Sequence, residues 1–187
     1  MGYVRGFIPW VVSGGVSAWD WRWGAVAGFV TGVLLFVQDR RRGVAADALV
    51  LEAGSILFFI LLGGYAFADP DSPAERWNGV LSFAWLAGIA WGSLALRRPF
   101  TLGIARRQTP PEYWDHPGFV AVNQVITAVW AAGFTFILGV LAVCEATGAP
   151  DWIGWTARIA GLLAPALFTK VYPARVQARM QAQAPDA

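Results

Sequence analysis

Few residues in this chain have side chains suited to chemistry, and they lie in two settings. One is the polar connector "LRRPFTLGIARRQTPPEYWDHPGF", residues 96 to 119, where His116, the only histidine, follows Asp115. An imidazole beside a carboxylate is the minimal acid/base couple, but no second histidine, activated nucleophile or glycine-rich phosphate loop accompanies it. The other setting is a small set of polar groups inside strongly apolar stretches: Glu52, Asn123, Gln124, Thr127 and Arg158. An ionised group at mid-membrane costs about 2.5 to 3.5 kcal/mol even on insertion scales, so residues of this kind are expected either to line a polar path or to clamp helices together. Catalytic, metal-binding and cofactor-binding residues are expected to be none. Cys144 stands alone, which excludes an intramolecular disulfide and a zinc cluster of the usual spacing.

The elements that must position these groups are apolar. Hydrophobic residues make up 57% of the 187 positions and charged residues 14%, with 11 Trp and 21 Gly. Mean hydropathy is +0.50. Soluble domains are rarely so apolar, and the apolar residues are gathered into runs. Six runs are read as membrane spans: Tyr3 to Trp19, Trp23 to Asp39, Val44 to Ala68, Asn78 to Leu96, Phe119 to Cys144 and Trp152 to Val171. A spanning helix takes about 20 residues, and the first two runs are short by that measure. "VSA" at 16 to 18 is also compatible with a cleaved signal, but Pro9 and the Gly14-Gly15 pair spoil its apolar core, and the first run is kept as a helix. The expected fold is therefore all-α, a polytopic membrane helix bundle with about six spans. It forms a single integral membrane domain over 1–187 with a cytoplasmic tail from 172. "PFTLGIARR" is read as a short interfacial helix between the fourth and fifth spans, with Arg97 and Arg98 closing the fourth.

Cations set the orientation. Eleven fall on one side of such a bundle (Arg5, Arg40 to Arg42, Arg97, Arg98, Arg106, Arg107, Lys170, Arg175 and Arg179), against Arg22 and Arg76 on the other. Both termini are thus expected in the cytoplasm of a bacterial cell, with the chain in its inner membrane. Anionic headgroups account for the basic pI of about 9.0, and nucleic acid is not an expected partner. Tryptophans 19, 21, 23, 77, 152 and 155 fall at the predicted outer boundaries as an interface belt. Small residues at spacing four (Gly24, Gly28, Gly32; Ala84, Gly88, Gly92; Ala157, Gly161) predict close helix packing, and the first set is also a candidate for self-association. Glu52, eight residues into the third run, is expected about 12 Å deep. Asn123 and Gln124 of the fifth are placed to donate to its carboxylate, on a polar stripe with Ala128, Ala131 and Thr135.

The order of these elements resembles the bacterial intracellular septation protein A family, the inner membrane-spanning YciB-like proteins. The resemblance lies in "LLFVQDRRRG", "SILFFILLGGYAF", "LRRPFTLGIARRQTPPEYW" and "FVAVNQVITAVWAAGF", over roughly residues 20 to 145. The chain departs from the family in its first thirty residues and in the acidic loop "DPDSPAER". The resemblance implies a non-enzymatic role in cell-envelope maintenance or septation, with Arg97, Arg98, Pro99, Asn123 and Trp130 as motif positions. Arg106 and Arg107 join them as candidate interface residues. Two other classes stay open: a small-solute or ion transporter built around Glu52, Asn123 and Gln124, and a lipid-acting enzyme using Asp115 and His116.

Overall fold

The computed structural model describes residues 2–45, 48–106 and 109–183. Among these residues seven α-helices follow one another: α1 Gly2–Ser17, α2 Trp21–Arg41, α3 Val50–Ala68, α4 Asn78–Ala95, α5 Thr101–Arg106, α6 Pro117–Thr147 and α7 Asp151–Gln183. Single 3₁₀ turns at Pro73–Glu75 and Pro111–Tyr113 interrupt the connectors. The fold is all-α among the described residues.

Among the described residues four helices, α2, α3, α4 and α6, are long and apolar enough to cross a membrane, which corrects the expected six. The first run fails on length: α1 has 16 residues, or roughly 24 Å, with Pro9 inside it. The sixth is only the first part of α7, a 33-residue helix that carries Arg158, Pro165, Lys170 and Pro173. Segment 172–183, read as a tail, is the continuation of that helix.

Local chemistry explains the boundaries. Asp20 caps α2 by accepting from the Arg22 N–H at 2.8 Å. The end of α2 is a Schellman turn: Val44 N–H donates to Asp39 O, Gly43 N–H donates to Arg40 O, and Gly43 takes the left-handed φ of 82°. That turn delays the next helix, so α3 begins at Val50 rather than at 44. The end of α4 repeats the geometry with Arg98 N–H to Ser93 O and Arg97 N–H to Leu94 O. Here the left-handed residue is Arg97, at φ 55°, where a side chain is disfavoured. His116 opens α6: its Nδ1 accepts from Gly118 N–H at 3.1 Å, and Pro117 takes the first helical position, which needs no N–H. Gly148, at φ 67°, closes it.

The chain forms two compact units. The first holds Met1–Leu81 with Phe100–Thr109, and the second Ser82–Pro99 with Pro110–Ala187. The single expected domain is thus organised as two clusters, and α5 belongs to the first of them. In unit 1, α2 packs against both α1 and α3. Its glycines make this possible. A Cβ on Gly24 would strike Ser13 and Ser17 of α1, and one on Gly28 would lie 2.6 Å from the Phe59 ring of α3. The stripe predicted on α2 is therefore filled on both flanks by the chain itself. Gly103 of α5 abuts the Ala48 backbone so closely that a Cβ would run into its carbonyl, and Phe100, Thr101 and Ile104 are buried with it. Trp10 donates from Nε1 to Ser55 Oγ at 2.8 Å and stacks on Phe58, at 4.9 Å between ring centroids.

In unit 2, α6 and α7 form a close hairpin. Gly161 faces Ile137, and a Cβ on Gly133 would meet the Gly161 carbonyl at 2.5 Å, so the Ala157/Gly161 pair packs as predicted. The α4 stripe does not: a Cβ on Gly88 or Gly92 would meet nothing within 4 Å, and the buried side of α4 is Leu86, Ala87, Ala90 and Ser93. The tryptophan belt needs one correction as well. Trp19, Trp23, Trp152 and Trp155 are exposed, whereas Trp21 is buried in unit 1 with its Nε1 donating to Pro70 O at 3.4 Å.

Candidate functional site

Glu52 is buried, at 4% exposure, and a Cβ on Gly6 of α1 would sit 3.9 Å from its Oε1. Its depth differs from expectation. Because α3 starts at Val50, Glu52 lies in the first turn of that helix and not eight residues in. Free N–H groups and the positive end of the helix dipole favour a carboxylate there by about 0.3 to 1 kcal/mol. Before α3, in the stretch read as span, Ala48 N–H donates to Ala45 O.

A second buried carboxylate stands in the same unit. Asp39, at 3% exposure, pairs with Arg5, whose Nε lies 3.3 Å from Asp39 Oδ1, and Arg5 also donates to Gln38. This pair ties the start of α1 to the end of α2. Reading the sequence missed it, although the second run was ended at Asp39 and Arg5 was placed on the side where that run ends. That shared side was the available signal.

The remaining candidates lie in unit 2. Asn123 and Thr127 are buried and Gln124 is half-buried. The buried face of α6 runs through Asn123, Ile126, Thr127, Trp130, Ala131 and Phe134, so the stripe predicted through Gln124 and Thr135 is displaced by about a third of a turn. Asn123 Nδ2 donates at 2.9 Å to Phe119 O in its own helix. Thr135, which is exposed, donates to Ala131 O and accepts from Trp91 Nε1 at 3.0 Å, linking α6 to α4. Trp130 donates to Thr169 Oγ1 at 3.0 Å, and that hydroxyl donates onward to Pro165 O at 2.8 Å. Trp130 thus bolts α6 to α7. Arg158 is half-buried near the start of α7, its guanidinium 5.3 Å from the Trp155 ring centroid, a cation–π contact.

Arg97 and Arg98 are exposed at the end of α4, while Pro99 is buried and leads into α5. Arg106 is half-buried, and Arg107 lies outside the described residues. The Asp115–His116 couple is exposed, and the His116 lone pair at Nδ1 is occupied in capping α6. Among the described residues, no group of three or more His, Cys, Asp or Glu gathers as a metal site would need.

The hydrogen bonds of several polar groups serve the helices themselves. Glu52 lies in the first turn of α3, Asn123 donates back to α6, and Thr169 and Ser55 receive tryptophan N–H groups. Comparison of the chain with family models, with curated proteins and with solved structures finds no match.

Proposed function

We propose that this chain is a non-catalytic integral protein of a bacterial inner membrane that supports cell-envelope maintenance or septation by holding partner membrane proteins against its exposed helix faces. The observation that carries the reading is where the intramembrane polar groups go. Ser55, Trp130 and Thr169 join helices within a unit, and Asn123 bonds its own helix. A scaffold needs such joints, whereas a transporter needs the same groups turned toward a solute. The resemblance to the septation protein A family supports the envelope role.

Orientation follows from alternation. If the four apolar helices cross in turn, the end of α2, with Arg40 to Arg42, and the end of α4, with Arg97 and Arg98, emerge on one side. The arginine bias makes that side the cytoplasm. Partner contact through Gly24, Gly28 and Gly32 is not part of the proposal, because α1 and α3 fill that face.

The test is site-specific photocrosslinking in intact cells, with the crosslinker at exposed Leu61 of α3 or Gly88 of α4 and, as a control, at buried Ala90. A discrete protein adduct from an exposed site and none from Ala90 is the expected result. Lipid adducts alone, together with solute uptake into proteoliposomes that disappears in Glu52→Gln, would replace the scaffold by a transporter.

A further inference from the structure

One flank of α7 has the makings of a lipid site. Ala164, Leu167, Phe168, Val171, Tyr172 and Arg175 line a shallow groove of about 320 Å³. All six come from one helix, at the three- and four-residue spacing that aligns side chains along a single face. Leu167 and Val171 are exposed, at 54% and 41%. Phe168 and Tyr172 stack nearly parallel, with ring centroids 4.7 Å apart and 18° between planes. The groove is apolar for about two turns and ends on a phenol and a guanidinium. Among the described residues, neither the Tyr172 hydroxyl nor Arg175 has a hydrogen-bond or ion-pair partner.

Pairing along the hairpin sets the depth of that end. Trp130 meets Thr169 and Ile137 meets Gly161, so the antiparallel register brings Arg175 about level with Asn123, six residues in from Pro117. At 31 residues, or roughly 46 Å, α6 is longer than the about 30 Å of bilayer hydrocarbon. A helix overhanging by about 8 Å at each end puts the level of Asn123 at the boundary between acyl chains and headgroups. α7 is not among the four helices apolar enough to span by themselves; it takes its depth from α6, along which it packs, and its exposed Trp152 and Trp155 then lie near the opposite boundary. With α6 centred in the bilayer, Arg175 comes to the headgroup boundary, and the groove descends from it into the hydrocarbon for about 16 Å, the span of eleven residues from Ala164.

The geometry points to a binding site for one anionic glycerophospholipid on this flank of α7. The phosphate accepts from the Arg175 guanidinium and the Tyr172 hydroxyl, and an acyl chain lies over Phe168, Leu167 and Val171. Guanidinium suits the phosphate because its planar fork donates to two oxygens at once. The assignment is independent of the proposed scaffold role. Lys170 supplies an internal control: it is exposed, about 7 Å deeper than Arg175 with a stem long enough to reach up to the headgroups, and about 140° around the helix from it.

The experiment is native mass spectrometry of the full chain, delipidated in detergent and titrated with phosphatidylglycerol or phosphatidylcholine. The wild type is expected to hold one phosphatidylglycerol in at least five-fold preference to phosphatidylcholine. Arg175→Gln should abolish the preference, Tyr172→Phe should weaken it, and Lys170→Gln should leave it intact, with far-UV circular dichroism unchanged in all three. Leu167→Trp, which fills the groove, should lower adducts of both lipids. Equal retention of the two lipids by the wild type, or an equal loss from Lys170→Gln and Arg175→Gln, would overturn the site and leave only general attraction of anionic headgroups to basic residues. Displacement of the adduct by millimolar inorganic phosphate would overturn it too, by showing that the groove holds no acyl chain.

Discussion

Replacing Gly28 by alanine adds one methyl group, and the structure determines where it must go. The new Cβ would lie 2.6 Å from Cε1 and Cζ of Phe59 and 2.8 Å from Cδ1. Carbon pairs prefer about 3.5 to 4.0 Å, so the ring must retreat by close to 1 Å. It has little room. Phe59 is almost fully buried, its ring lies 4.9 Å from Trp10 and 5.3 Å from Phe58, and Trp10 is in turn fixed to Ser55. Overpacking of this kind costs about 1 to 3 kcal/mol, while exchanging a mid-helix glycine for alanine returns up to about 1 kcal/mol. Gly28→Ala is therefore expected to destabilise unit 1 by about 1 to 2 kcal/mol. Gly88→Ala is the matched control, because its methyl group meets nothing within 4 Å, and it should be neutral or stabilising by up to about 1 kcal/mol. Titration of micelles with a denaturing detergent, followed by circular dichroism and tryptophan fluorescence, measures both. In a Phe59→Leu background the penalty at Gly28 should largely vanish, a coupling that a double-mutant cycle isolates. Equal effects at Gly28 and Gly88, or a penalty that survives in Phe59→Leu, would refute the argument that ring contact sets the α2–α3 distance.

Two further outcomes follow from particular residues. Arg97 holds the left-handed position of a Schellman turn that glycine occupies at the end of α2, so Arg97→Gly should raise stability by up to about 1 kcal/mol relative to Arg97→Ala, and equal melting temperatures would count against strain there. The side-chain hydrogen bond from Arg22 lowers the Asp20 carboxyl from 3.8 to about 2. A depressed carboxyl stabilises the folded state above its unfolded value and loses that contribution as pH falls through the folded one. The stability difference between the wild type and Asp20→Asn, which keeps the cap but not the charge, should thus be constant above about pH 4 and shrink toward pH 2; a difference that persists at pH 2 would refute the pairing.

Composition was enough to read helices and membrane, because runs of apolar residues report their solvent directly. Counting spans was harder, since a run of apolar letters does not show where a helix begins. The turn at Gly43 moved the start of α3 to Val50 and thereby changed what Glu52 is: a carboxylate expected well inside a span became one at a helix start, where the backbone welcomes it. The same limit governs the glycines. Spacing four marks a face without naming its neighbour, so Gly28 and Gly88 read alike although one meets a phenylalanine ring and the other open space. Arg5 and Asp39 are 34 residues apart, and only the close packing of α1 on α2 shows that they pair. The positions singled out by the resemblance brought no structural roles with them. Trp130 proved to be a donor to Thr169, and the strain at Arg97 has no signature in a string of letters, since nothing before folding distinguishes an arginine that ends a helix from one held in a glycine's conformation. On the proposed reading, recognition depends on what lies against each face, and it falls to the exposed side of α4 and the groove on α7 rather than to the buried polar groups.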